Sequence, residues 1–235
     1  MPAMSRPLLV ALACLGAGAA AAGEPAAAGE PAAGRVVEQV VAVVRAPGAT
    51  QPRVITLTRL QEETRIALIS QGAVAAAGGE LDRAALRAGL QWLIDQTLLL
   101  DEVVRLQVFE VDRAGALEEL HRFQARFPAP AAYRAFLARW DVTEEELLVV
   151  LRRTLRVQRY LDSRVSGAAH VPEADVDRFL HDRGSELAGD RAARRAAARA
   201  RLAAERTRRE VKALVAELRS RATVRVLDPF GPRGG

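Results

Sequence analysis

The feature that most constrains this chain is its last ordered-looking stretch, "RATVRVLDP" at residues 221–229. Thr223 to Leu227 reads as a strand, and it follows some thirty residues, rich in Ala and Arg, that read as helix. A strand needs a ladder partner, because unpaired backbone groups are costly to bury. The remaining strand candidates are both near the start. They are "RVVEQVVAVV" at 35–44 and "RVITL" at 53–57, separated by a turn-rich loop with Pro47, Gly48 and Pro52. The two ends of the chain are therefore expected to close onto one small sheet. In that sheet Val224 and Val226 face the helices, while Thr223 and Arg225 face out. Apolar residues on both faces from Val40 to Val44 predict a strand covered on both sides.

Everything between those ends carries helical punctuation. Thr58 and Gln61 form a T-x-x-Q capping pattern opening a helix to about Ser70, and "GAVAAAGGE" breaks it. Asp82 is set to cap a helix over about 83–107, whose Leu86, Leu90, Leu93, Ile94 and Thr97 follow i, i+3, i+4, i+7 spacing. Leu98, Leu99, Leu100, Val103 and Val104 widen that stripe nearly all round, which marks the central helix. Asp112 caps a helix to about Phe127, Pro128 and Pro130 end it, and a short helix spans about 131–139. Thr143 and Glu146 form a T-x-x-E capping box for a helix running to about Val165. Pro172 stands at the start of another helix. The final helix is expected over 186–220. Its apolar positions Leu202, Val211, Leu214, Val215 and Leu218 are well spaced only in the second half, so the Ala/Arg half is expected to project into solvent or toward a partner. The fold class is mainly α with a small β-sheet made by an N-terminal hairpin and the C-terminal strand.

Outside that body, residues 1–22 read as a secretory signal peptide. Arg6 supplies the positive region, Leu8 to Leu15 the apolar region, and small residues run through Ala22. The apolar run is too short and too diluted with Ala and Gly for a transmembrane anchor. Cys14, the single cysteine, lies in the leader within "VALAC", a possible lipidation site. The repeat "GEPAAAGEPAAG" at 23–34 reads as a flexible Gly/Pro/Ala/Glu linker, and 229–235 as a disordered tail.

The residues offer no catalytic constellation, no cofactor-binding motif and no metal-ligand spacing. His121, His170 and His181 show neither HxxH nor HExxH spacing, and no P-loop or GxGxxG occurs. The net charge is +5, and Lys212 is the only lysine among 34 basic residues. The basic run at 191–210 interleaves Arg with Ala, Glu205 and Glu210, which reads as a solvated helix face in preference to a nucleic-acid surface. More informative is "HRFQARFPAPAAYRAFLARW" at 121–140, which holds five aromatics: Phe123, Phe127, Tyr133, Phe136 and Trp140. Two readings stand. The rings are core between helices, or Phe127, Tyr133, Phe136 and Trp140 form a partly exposed apolar surface that binds other chains.

The order of these segments resembles the SurA-type periplasmic chaperones. The likeness is carried by "VVEQVVAVV…RVITLTRLQEE", "LQWLIDQTLLLDEVVRLQVFEVD", "VTEEELLVVLRRTLRVQRYLDSRV", "VPEADVDRFLHDR" and "RTRREVKALVAELRSRATVRVL", and covers about 35–228. The resemblance implies a helical chaperone core of the SurA N-terminal type, without enzyme activity, that holds unfolded polypeptides, outer-membrane proteins among them, in the periplasm. From the residues themselves, no nucleic-acid partner and no transmembrane span in the mature chain are expected. Relatives carry parvulin-type peptidyl-prolyl isomerase domains between the segments matching "FLHDRGSE" and the final helix. Only a few residues intervene here, so isomerase activity does not carry over. Two other roles remain open from sequence: a structural or docking subunit of a cell-envelope complex, and an accessory partner of a separate isomerase.

Overall fold

The computed structural model describes residues 38–167 and 170–227. The signal-peptide reading of 1–22 with Cys14, the linker 23–34 and the tail 229–235 all lie outside the described residues. Among those described, the architecture is mainly α with one small antiparallel sheet. The strands are β1 (Val40–Arg45), β2 (Arg53–Thr56) and β3 (Thr223–Val226), in the order β2-β1-β3. The helices are α1 (Leu57–Ser70), α2 (Val74–Gly78), α3 (Arg83–Leu106), α4 (Arg113–Gln124), α5 (Pro130–Trp140), α6 (Glu144–Val165), α7 (Glu173–Arg183) and α8 (Arg191–Arg221).

The expected closure of the two chain ends is present. β3 pairs antiparallel with β1 from Ala42↔Val226 to Arg45↔Thr223, and the Leu227 amide donates to the Val41 carbonyl at 2.9 Å. The valine run on β1 is accommodated differently from the expectation of a strand covered on both sides. The register against β2 jumps between Val40↔Thr56 and Ala42↔Ile55, a β-bulge that sets two residues against one. Val41 and Ala42 are therefore both fully buried against the helices, Val44 joins them, and Val43 is left half-buried on the other face. On β3, Val224 packs against that core, but Val226 is 43% exposed, because it pairs with small Ala42 at the outer edge of the sheet.

Capping residues place most helix starts. Asp82 accepts from the Ala85 amide and Asp112 from the Gly115 amide, at 2.7 and 2.9 Å. Thr143 and Glu146 make both bonds of a capping box. The first helix departs from its sequence signal. Its cap is Thr56, not Thr58, and position N3 is then Arg59, so the Thr58–Gln61 box does not form. Thr56 is the last residue of β2, and pairing with β1 holds it extended, which is the backbone state an N-cap needs. The last helix begins at Arg191 rather than near 186. Gly184–Glu186 forms a 3-10 turn, and Asp190 caps α8 by accepting from the Ala193 amide at 2.8 Å.

The described residues form three apolar clusters. The first joins the sheet to α3, the C-terminal half of α6 (Val157, Tyr160, Leu161, Val165) and the second half of α8 (Val211, Leu218). The second joins α1, α4, α5 and the N-terminal half of α6 (Leu147, Leu151). The third is small: Val171, Val176, Phe179 and Ala198, with Leu202 at its margin. The first half of α8 thus lies on α7 instead of projecting freely. No helix among the described residues is long and apolar enough to cross a membrane.

A candidate polypeptide-binding groove at the α4–α5–α6 junction

Pro128 and Pro130 force a sharp turn between α4 and α5, and Pro130 opens α5 where its missing N–H costs nothing. That turn folds the aromatic segment onto itself. Phe127 meets Phe123 at 5.7 Å, Tyr133 at 5.5 Å and Phe136 at 5.6 Å between ring centroids, all within the range of favourable aromatic pairs. Residual exposure is 2% for Phe123, 9% for Phe127, 6% for Tyr133 and 7% for Phe136. Of the two readings the core one holds for Phe127, Tyr133 and Phe136, so the partly exposed surface is corrected for those three, while Trp140 is partly exposed. Phe127, Tyr133 and Phe136 belong to the second core with Leu120 of α4 and Leu147 and Leu151 of α6, and Trp140 packs against its margin.

Trp140 is half-buried for a related reason. The guanidinium of Arg65 lies 3.4 Å from its ring centroid, and that of Arg139 lies at 5.1 Å. Arg65 is only 4% exposed, and its Nη1 donates to the carbonyls of Ala77 and Gly79 at 2.7 Å each. It satisfies the open end of α2 while stacking on Trp140, as a planar guanidinium can. Desolvation, then the nearby Arg139, lowers its pKa from the usual arginine range. A lone Arg among apolar neighbours in "TRIALI" was the sequence signal for this arrangement.

What the fold leaves open is a groove beside these rings. It has a volume of about 480 Å³. Ala125, Phe127, Pro128, Ala129, Pro130 and Tyr133 line it. Phe136 and Trp140 do not line it. Its polar groups are few. The Tyr133 hydroxyl donates to Glu144 Oε1 at 2.9 Å, and Gln124 Nε2 donates to the same oxygen at 3.3 Å. Burial, followed by the neighbouring Glu144, pushes the Tyr133 pKa up to about 12, so the hydroxyl remains a donor at neutral pH. Arg134 also lines it. The sequence marks Pro128 and Pro130 as the break beside these rings, but gives Glu144 no part in a site. The double proline beside Phe127 was the available signal.

No group of three or more His, Cys, Asp or Glu among the described residues is placed to hold a metal. His121, His170 and His181 are all exposed, on α4, on the loop before α7, and on α7. Asp101 pairs with Arg53 and Glu102 with Arg105, so each acid of that pair serves an ion pair. The Glu62 carboxyl is held above its ordinary value by burial, then by Glu146, Glu63, Glu38 and Asp141.

The Arg-rich half of α8 is largely engaged in the fold. Arg195 bonds Glu173 and Asp177 at 2.7 and 2.5 Å, Arg199 pairs with Glu173, Arg201 bonds Glu186 at 2.9 Å, and Arg206 pairs with Asp175. Four arginines of the supposed docking arm therefore fasten α8 to α7 and the turn after it. Between Arg183 and Arg191 stand only the 3-10 turn and a short loop. Comparison of the chain with family models, with curated proteins and with solved structures returned no match.

Proposed function

We propose that the protein holds extended segments of unfolded polypeptide, outer-membrane proteins among them, in the periplasm, and does so without catalysis. The observation that carries this reading is the α4–α5–α6 groove: apolar and proline-lined, about 480 Å³ in volume, with Glu144 and Arg134 as opposite charges in its lining. An extended peptide is the occupant this chemistry suits. Its side chains can lie on the rings and prolines, and its backbone can bond to Gln124 and Glu144. Few polar contacts and a broad apolar wall give weak binding to many sequences, which holding requires. The sequence resemblance to SurA-type chaperones points the same way. The engagement of the α8 arginines with α7 disfavours an envelope docking arm.

The test is suppression of aggregation of an unfolded β-barrel protein by the full chain and by Ala125→Trp. Ala125 is exposed at the end of α4, so an indole there fills the groove without entering the core. The expected result is holding by the native chain and its loss in the variant, at an unchanged melting temperature. Equal holding by both proteins would refute the assignment of the groove.

A further inference from the structure

A second concavity lies on another part of the molecule, between β2, α1, α3 and α6, with a volume of about 100 Å³. On this scale one water needs roughly 10–15 Å³, so there is room for several waters, or for a carboxylate with a short carbon chain. Three arginines from three elements converge on it: Arg53 of β2, Arg59 of α1 and Arg153 of α6. Its remaining lining is mixed: Trp92, Leu93, Leu100 and Val157 are apolar, and Gln96, Thr97 and Thr154 are polar.

The charges inside are unequal. Glu63 lies beneath the arginines, 4% exposed, while the side chains of Arg153, Arg59 and Arg53 are 26%, 30% and 48% exposed. Arg59 Nε donates to Glu63 Oε1 at 2.7 Å, and Arg153 is paired with the same oxygen. One carboxylate thus sits under two guanidinium groups. Asp101 neutralises Arg53, leaving the five side chains with one net positive charge facing the opening. Arg153 Nη2 is moreover buried against the Glu63 carboxylate. Each guanidinium carries five N–H donors, more than one shared carboxylate oxygen can accept, and a second carboxylate matches the fork that remains.

We propose that this cleft binds a monocarboxylate bearing a short apolar substituent, with the carboxylate on Arg153 and Arg59 and the carbon chain on Trp92, Leu93 and Val157. The C terminus of a polypeptide and a free short-chain acid share that chemistry. The site stands independently of the α4–α5–α6 groove.

Calorimetric titration of the full chain tests this with four probes: N-acetyl-leucyl-leucine as the free acid, the same dipeptide as its C-terminal amide, butyrate, and inorganic phosphate. The free acid is expected to bind at least ten-fold more tightly than the amide. Arg153→Gln should weaken it ten-fold or more. So should Gln96→Trp, which fills the cleft without touching an ion pair and covers the case in which loss of Arg153 unfolds the chain. Ala125→Trp should bind as the native protein does. A dipeptide acid tighter than butyrate assigns the site to polypeptide C termini, and butyrate binding as tightly assigns it to free acids. Equal binding of acid and amide, preference for phosphate, or no heat from any carboxylate at about 1 mM, roughly −4 kcal/mol of binding, would overturn the proposal.

Discussion

Gly89 sits where α3 crosses α1, and the fold depends on its missing side chain. A Cβ built there would stand 3.0 Å from Thr64 Cγ2, 3.1 Å from Thr64 Cβ and closer still to Thr64 Oγ1. Thr64 is 1% exposed and β-branched, so rotation cannot clear both branches from the contact. Apolar contacts settle near 3.5–4.0 Å, and the two helices would have to separate to reach that spacing. Two terms favour Gly89→Ala: about 1 kcal/mol of helix propensity and up to about 0.8 kcal/mol for one buried methyl. Against them stands overpacking, which costs roughly 1–3 kcal/mol and more where backbones must move. The separation of α1 from α3 would also loosen Leu86, Leu90 and Leu93, which belong to the first core. With the overpacking cost at the top of that range we expect a net loss of about 1 kcal/mol, or a fall in Tm of roughly 2–4 °C for a domain of this size. The control is the cycle with Thr64→Ala. That change removes the branch and a buried hydroxyl that has no hydrogen-bond partner, so it should itself be mild. In that background Gly89→Ala should lose most of its penalty, because the interaction is local to the pair. Thermal melts of the four proteins decide it. A raised Tm for Gly89→Ala alone, or no coupling between the two sites, would refute the reasoning.

Three further outcomes follow from the same structure. Ending the chain after Ser220 removes β3 and bares the β1 edge from Ala42 to Arg45, so cooperative unfolding should be lost or aggregation should rise; coincident melts of full and shortened chains would contradict this. Phe136→Ala should cost roughly 3–5 kcal/mol as a core truncation, and a loss below about 1 kcal/mol by denaturant unfolding would return that ring to the surface. Glu173 is held below its ordinary value of 4.5 by its hydrogen bonds to Arg195 and Arg199, and Glu186 by Arg183, so their contribution is fully present above about pH 4.5 and is lost as pH falls through the depressed folded values. Hydrogen exchange in α7 should therefore rise on acidification before that in α3, and a uniform rise across both helices would speak against this ion-pair seam.

The parts of the molecule legible in the sequence are those whose causes are local or exhaustive. Asp82, Asp112 and the Thr143–Glu146 box act on amides two or three residues away, so helix starts could be read from a few letters. The β1–β3 closure was readable by elimination, since a strand at 223–226 had only the N-terminal hairpin to pair with. Tertiary structure decided whatever depends on what arrives from far along the chain. It chose Thr56 over Thr58 as a cap because β1 holds Thr56 extended, and it used a bulge to bring Val41 and Ala42 to one face. It turned the aromatics at 123–136 inward because α6 covers them, and left open only the edge beside Pro128 and Pro130. It matched the arginines of α8 to acids on α7 and at Glu186, and gathered Arg53, Arg59 and Arg153 at one cleft, the last two on the buried Glu63 carboxylate. Periodicity states which face of a helix is apolar or charged. Which other element meets that face depends on packing across 15 to 128 residues of intervening chain, and no local pattern encodes it.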